Sequence, residues 1–233
     1  MAKINKKSLS IGAFLAASFM GVLVLIFSPI FGDGKNGLVY SDDLFNKLSK
    51  GSSYFIPAVA KNNEKFIGKS VSVSIKMEKP EQVEKAVKVL AAAGAQAEGS
   101  GQEIKVSADL GLLMSNALKD SDDMYRNDGK SVADRYGFEE KEVMTVWWNI
   151  MKVLDKQLKK DGMIEEAKIV SDVMKKAVET SFNFYGIEAQ KVTEKAVLMI
   201  ALLVFYVAYT MWWGFAIYFL FDGIGLTMSK AKH

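Results

Sequence analysis

The chain has 233 residues, half of them hydrophobic, with a net charge of +3, no cysteine and one histidine, His233. This inventory excludes disulfides, thiolate-held iron–sulfur or zinc sites and c-type haem attachment, and it leaves no internal histidine for a Ser-His-Asp triad or a histidine metal site. Residues 32–195 carry 25 basic and 26 acidic side chains, so the basic excess lies at the ends and the middle has no nucleic-acid signature.

In chain order, residues 1–8 form a basic tail with Lys3, Lys6 and Lys7, and residues 9–31 are an uncharged apolar run. About 20 helical residues cross a bilayer core, so this run is a transmembrane helix. It exceeds a secretory h-region and no A-x-A site follows, so it reads as an uncleaved anchor. Gly12, Ala13, Ala16, Ala17 and Gly21 place small residues four apart, a spacing that lets helix backbones approach closely.

Residues 32–69 form a connector with one short helix, capped by Ser41, with Asp42 and Asp43 at its positive end. Gly51, Ser52 and Ser53 end it, and Tyr54 to Pro57 read as extended. Residues 70–118 form a small α/β unit. Val71, Val73, Ile75 and Met77 alternate as on a half-buried strand. Pro80 suits a first helical turn, and Val83, Ala86, Val87, Leu90 and Ala91 recur at helical spacing. Gly94 ends this helix, and residues 103–107 form a second strand with Ile104 and Val106 inward. Asp109 caps a helix to about Leu118. Gly99-Ser100-Gly101 lacks the ending of a phosphate loop and reads as a strand connection.

Residues 119–186 comprise a polar loop (119–137) and a helical hairpin. Asp120, Asp122, Asp123 and Asp128 are weak candidates for a hard-cation site, but they lack the EF-hand register, and a solvated loop is the reading preferred here. Val143, Trp147, Ile150, Leu154 and Leu158 stripe one long helix, and Ala167, Val170, Met174, Ala177 and Phe182 stripe the next. The short break at Asp161-Gly162 predicts an antiparallel pair. Trp147 and Trp148 point about 100° apart. One enters the pair's core and the other meets a third element, the membrane surface or a partner.

Residues 187–222 read as one helix continuing into a second transmembrane segment, whose charge-free run is 196–221. Thr210 and Gly214 repeat the small-residue spacing there. Neither run contains Asp, Glu, Lys, Arg or His, which speaks against an ion or proton path through this chain alone. The last segment, 223–233, is a short tail with Lys230, Lys232 and His233. Basic tails beside spans stay cytoplasmic. The expected topology has both termini in the cytoplasm of a bacterial cell, or an archaeal one, with residues 32–195 periplasmic.

The stretches VSVSIKM, AAAGAQAE and IKVSADLGLL give residues 70–118 an outline that resembles the ring-building motif of flagellar and injectisome inner-membrane rings. The resemblance implies oligomerisation and transfers no functional residue.

The expected fold class is an α+β membrane protein, with two transmembrane helices flanking a small strand-helix-strand-helix unit and a long antiparallel helical pair. The expected function is a non-catalytic accessory or scaffold subunit of a larger inner-membrane complex, without a cofactor of its own. Its partners are other membrane subunits or further copies of itself. The helix-packing candidates are Gly12, Ala16, Ala17, Gly21, Thr210 and Gly214, and the domain-contact candidates are Trp147 and Trp148. The alternative is a periplasmic ligand sensor that signals through a separate cytoplasmic partner.

Overall fold

A computed structural model describes residues 4–226. Lys3, Lys230, Lys232 and His233, on which part of the topology argument rests, lie outside the described residues. The described residues form an α+β fold, 71% helical, with one three-stranded antiparallel sheet and two apolar helices long enough to cross a membrane. It divides into two compact units: the described residues up to Leu48 together with those from Gln190, and Ser49–Ala189.

In the first unit, α1 (Lys6–Phe27) packs along α10 (Val192–Gly223). The chain leaves α1 at Ser28, forms a small bridge between Phe31 and Lys35, and enters α2 (Gly37–Ser52). Asn36 caps α2, its side-chain oxygen accepting from the Val39 N–H at 2.9 Å. Ser41, the expected cap, instead sits inside the helix and donates to the Gly37 carbonyl.

The second unit holds one continuous core that runs from Ile56 to Val178. The small α/β stretch and the long helices are therefore layers of a single domain. The connector contains a further helix, α3 (Ile56–Asn63), where an extended segment was expected; Pro57 is tolerated because it stands in the first turn. β1 (Ser70–Lys76) turns Val71, Val73 and Ile75 inward, as its alternation predicts. α4 (Glu81–Ala92) follows and ends before Gly94, whose φ of +83° is left-handed.

β2 (Gln96–Ser100) and β3 (Glu103–Asp109) form a hairpin, and the sheet order is β1-β3-β2. The two strands read from sequence thus pair directly, with Val73 opposite Val106 and Ile75 opposite Ile104, and a third lies at the edge. β2 was missed because it is almost wholly exposed and carries no apolar alternation. Its pairing sets Glu98 opposite Lys105, an attractive cross-strand pair. Gly99 lets α4 lie close, since a Cβ there would stand 2.6 Å from the Val83 side chain.

α5 (Leu110–Tyr125) is capped by Asp109, which accepts from the Leu112 N–H at 2.9 Å. It runs past the expected end at Leu118, and α6 (Gly129–Tyr136) follows. The stretch read as a polar loop is therefore largely helical. Asp128 caps α6 through Ser131, Gly137 ends it at φ +75°, and Val132 and Tyr136 provide its single buried stripe. Charges on the outer faces hide that stripe from a periodicity reading.

α7 (Glu140–Lys160) buries Val143, Trp147, Ile150, Leu154 and Leu158 as expected. After a turn at Gly162, α8 (Ile164–Val173) packs back on it and continues through a π turn, Met174–Val178, into α9 (Glu179–Phe184). The π turn inserts a residue into the repeat, and Thr180 Oγ1 donates five residues back to the Lys175 carbonyl. The phase shift turns Phe182, expected in the core, outward. The expected continuous helix from Ile187 is also absent. Gly186 has φ +83°, residues 187–191 are non-helical, and α10 starts at Val192.

Candidate functional site

The most concentrated polar chemistry lies inside the second unit, around Asp120. This carboxylate is 1% exposed, on α5. It accepts from Trp147 Nε1 at 2.7 Å, from the Tyr136 hydroxyl at 2.5 Å, and from the Arg135 guanidinium. Arg135 also reaches Asp123 at 2.8 Å. A charge taken out of water must be paired and hydrogen-bonded, and α6 contributes two partners to this carboxylate and α7 the third. Burial raises the Tyr136 phenol above its ordinary pKa, so it stays a hydroxyl donor.

The four aspartates proposed from sequence as weak cation ligands therefore do separate work. Asp120 and Asp123 hold Arg135. Asp122 accepts from Tyr54 at 2.6 Å and from Arg126 at 2.9 Å. Asp128 caps α6, and the Ser131 hydrogen bonds hold its carboxyl below the usual range. Among the described residues no group of three or more His, Cys, Asp or Glu side chains is placed to hold a metal ion. Of the two tryptophans offered for domain contacts, Trp147 is the one that enters the core: it is fully buried, and its indole N–H donates to Asp120.

A second polar knot centres on Lys50, 2% exposed at the end of α2. Its ammonium donates to Asn127 Oδ1 at 2.9 Å and to the carbonyls of Phe184 at 3.1 Å and Ile187 at 2.6 Å. Asn127 adopts φ +65° and also accepts from the Gly186 N–H at 2.8 Å. The Tyr125 hydroxyl donates to the Lys50 carbonyl. Burial lowers the Lys50 pKa, and the three acceptors oppose that shift by favouring the ammonium. The knot joins the segment that enters the unit to the turn from which the chain leaves it. Lys50→Met is expected to strand these acceptors and to cost about 2 kcal/mol, read as a lower urea midpoint in the full chain. A loss under about 0.5 kcal/mol would mean that water replaces the ammonium without penalty.

The exposed counterpart is an open apolar groove of about 240 Å³, lined by Met144, Thr145, Trp148, Val178, Glu179 and Phe182. Trp148 lines it from α7, with Lys152 Nζ 5.1 Å from its ring centre. The π turn sets the other wall, since Val178 closes it and Phe182 follows one turn later. Of the two tryptophans, only Trp148 presents its ring at a surface.

No family model matches this chain, and comparison with curated proteins and with solved structures finds no match. The resemblance of residues 70–118 to ring-building motifs gains no support there, and the observed order in that stretch is strand, helix, strand, strand, helix.

In the first unit the small residues divide by position. A Cβ at Gly12 would stand 2.6 Å from the Leu220 backbone nitrogen, and one at Gly223 would stand 2.7 Å from the Leu9 backbone. These two glycines set the closest approach of α1 and α10. Ala16 is half-buried, while Ala17, Gly21, Thr210 and Gly214 are exposed, and Gly21 and Gly214 have nothing within 4 Å of an added Cβ. Further along the pair, Trp212 Nε1 donates to the Leu15 carbonyl at 3.1 Å, and Tyr209 stacks on Phe19 at 4.1 Å between centroids. Sequence reasoning missed Gly223, Lys50 and Asn127. Gly223 was assigned to a tail, and the other two become polar-core residues only through partners more than 50 positions away.

Proposed function

We propose that this chain is a two-pass inner-membrane protein and a non-catalytic accessory or scaffold subunit of a larger complex. Both ends lie in the cytoplasm and residues 32–195 form a periplasmic domain. The observation that carries the reading is the surface of α1 and α10. Both helices are long and apolar enough to span a bilayer, and almost none of either apolar stretch is buried by the chain itself. Such a surface needs lipid or other membrane helices against it. Ala17, Gly21, Thr210 and Gly214 face outward and offer neighbouring helices a close approach. In the domain, the groove beside Trp148 supplies an apolar anchor for a partner's side chain.

Purification of the tagged chain in mild detergent, followed by mass spectrometry, tests this. Stoichiometric membrane partners are the expected result. Ala17→Leu combined with Gly21→Leu is expected to shrink the complex while leaving the α1–α10 pair intact. An unchanged complex would remove those residues from the assembly surface.

The groove also favours the alternative of a periplasmic sensor, whose signal would pass to a separate cytoplasmic protein. A saturable rise in melting temperature with small apolar ligands, lost in Trp148→Ala, would favour the sensor over the subunit. The non-helical break at 187–191 counts against direct transmission along one rigid helix.

A further inference from the structure

The register of α1 against α10 leaves the two helices unequal at one end. Asn5 N donates to the Gly223 carbonyl, and Phe19 stacks on Tyr209. From Phe19 to the end of α1 at Phe27 is 8 residues, about 12 Å of helix. From Tyr209 back to Ala196, where the charge-free run of α10 begins, is 13 residues, about 20 Å. The apolar surface of α10 thus outlasts α1 by about 8 Å, and the chain leaving α1 returns through α2 toward the base of α10, where the Lys47 carbonyl accepts from the Gln190 N–H at 3.0 Å.

That chain is built for an interface. α2 starts hard against the end of α1, with a Cβ at Gly37 only 3.1 Å from the Ile26 carbonyl. Ile30 is 65% exposed, Leu38 55% and Val39 47%. The Tyr40 ring lies 6.2 Å from that of Phe31, and an amphipathic phenol suits the headgroup level. Of the nearby charges, Lys35 is paired with Asp43, and Asp33 stands at the left-handed turn.

We infer that the segment 28–40 lies in the periplasmic interfacial layer of the bilayer, with Ile30, Leu38 and Val39 immersed among lipid headgroups and upper acyl chains. This rests on the membrane reading above and extends it. The lipid surface is the occupant because the segment leaves the end of one apolar helix at Ile26 and α2 returns to the base of the other at Gln190, with its aliphatic side chains exposed between the two. Burial of three aliphatic side chains there contributes to anchoring beyond the two spans and fixes the depth of α1.

The chain has no cysteine, so single substitutions report without background. Ile30→Cys, Leu38→Cys and Val39→Cys are spin-labelled in the full chain, in nanodiscs of phosphatidylethanolamine and phosphatidylglycerol. Accessibility to oxygen is compared with that to a water-soluble nickel complex. Leu203→Cys on α10 and Ser100→Cys at the exposed end of β2 are the lipid and water references. All three positions are expected to favour oxygen, between the two references. If Leu203 reads as lipid and the three positions read like Ser100, the interfacial placement fails and the spans stand. If the three are closed to both reagents, a protein surface covers them and the placement fails. If Leu203 itself reads as aqueous, both the membrane reading and the inference are overturned.

Discussion

Asp120→Ala is expected to destabilise the second unit by about 3–5 kcal/mol, enough to leave it largely unfolded at moderate urea. The aspartate is almost completely buried and takes hydrogen bonds from three side chains on two other helices. Removing it leaves the Tyr136 hydroxyl and the Trp147 N–H without an acceptor and the Arg135 charge with Asp123 alone. The cost is dominated by the two stranded donors and the half-lost charge pairing, since buried polar groups keep their desolvation penalty when the partner is lost. Asp120→Asn keeps the volume and one acceptor and should fall between the wild type and Asp120→Ala. Urea unfolding of the full chain in detergent, followed by tryptophan fluorescence and circular dichroism, measures the order. A loss below about 1 kcal/mol for the alanine variant would mean that water enters and satisfies the three donors. Adding Tyr136→Phe to Asp120→Ala should then cost less than Tyr136→Phe alone, because the two side chains share one interaction.

Gly12→Leu is expected to separate α1 from α10. A Cβ at this position already stands within 3 Å of the Phe219 and Leu220 backbones, and backbone cannot yield as a flexible side chain can. The helices must move apart toward the roughly 8–10 Å spacing of ordinary pairs, or slide to a new register. Spin labels at Phe14 and Phe215, both outward-facing, report the change as a longer and broader distance distribution. Gly21→Leu in the same helix is the control. It adds a larger side chain where nothing lies within 4 Å, and the distribution should not move. An unchanged distribution in Gly12→Leu would show that the pair is not held at this contact. The contrast separates glycines that join the two helices of one chain from small residues available to neighbours.

The two charge-free runs at 9–31 and 196–221 lie mostly within long apolar helices, the first ending at Phe27, which satisfy their backbone polar groups internally. Val71, Val73 and Ile75 turned inward by simple alternation, and Asp109 capped α5 as its position before an apolar run implies. The stripe from Val143 to Leu158 gave α7 its buried face.

The tertiary structure alone decided the rest, where the deciding partner is distant in sequence. β2 exists because β3 offers it an edge, not because its own residues alternate. Helices α5 and α6 extend through a stretch of aspartates because Arg135, Tyr136 and Trp147 neutralise and bury Asp120. Trp147 and Trp148 are neighbours in the chain, yet one became a buried hydrogen-bond donor and the other a groove wall, according to which side of α7 faces α5 and α6. Phe182 left the core because a π turn, which no periodicity announces, shifted the helix by one residue. Gly12 and Gly21 look alike as small residues in an apolar run. Only the register of α1 on α10 made the first a contact and left the second open.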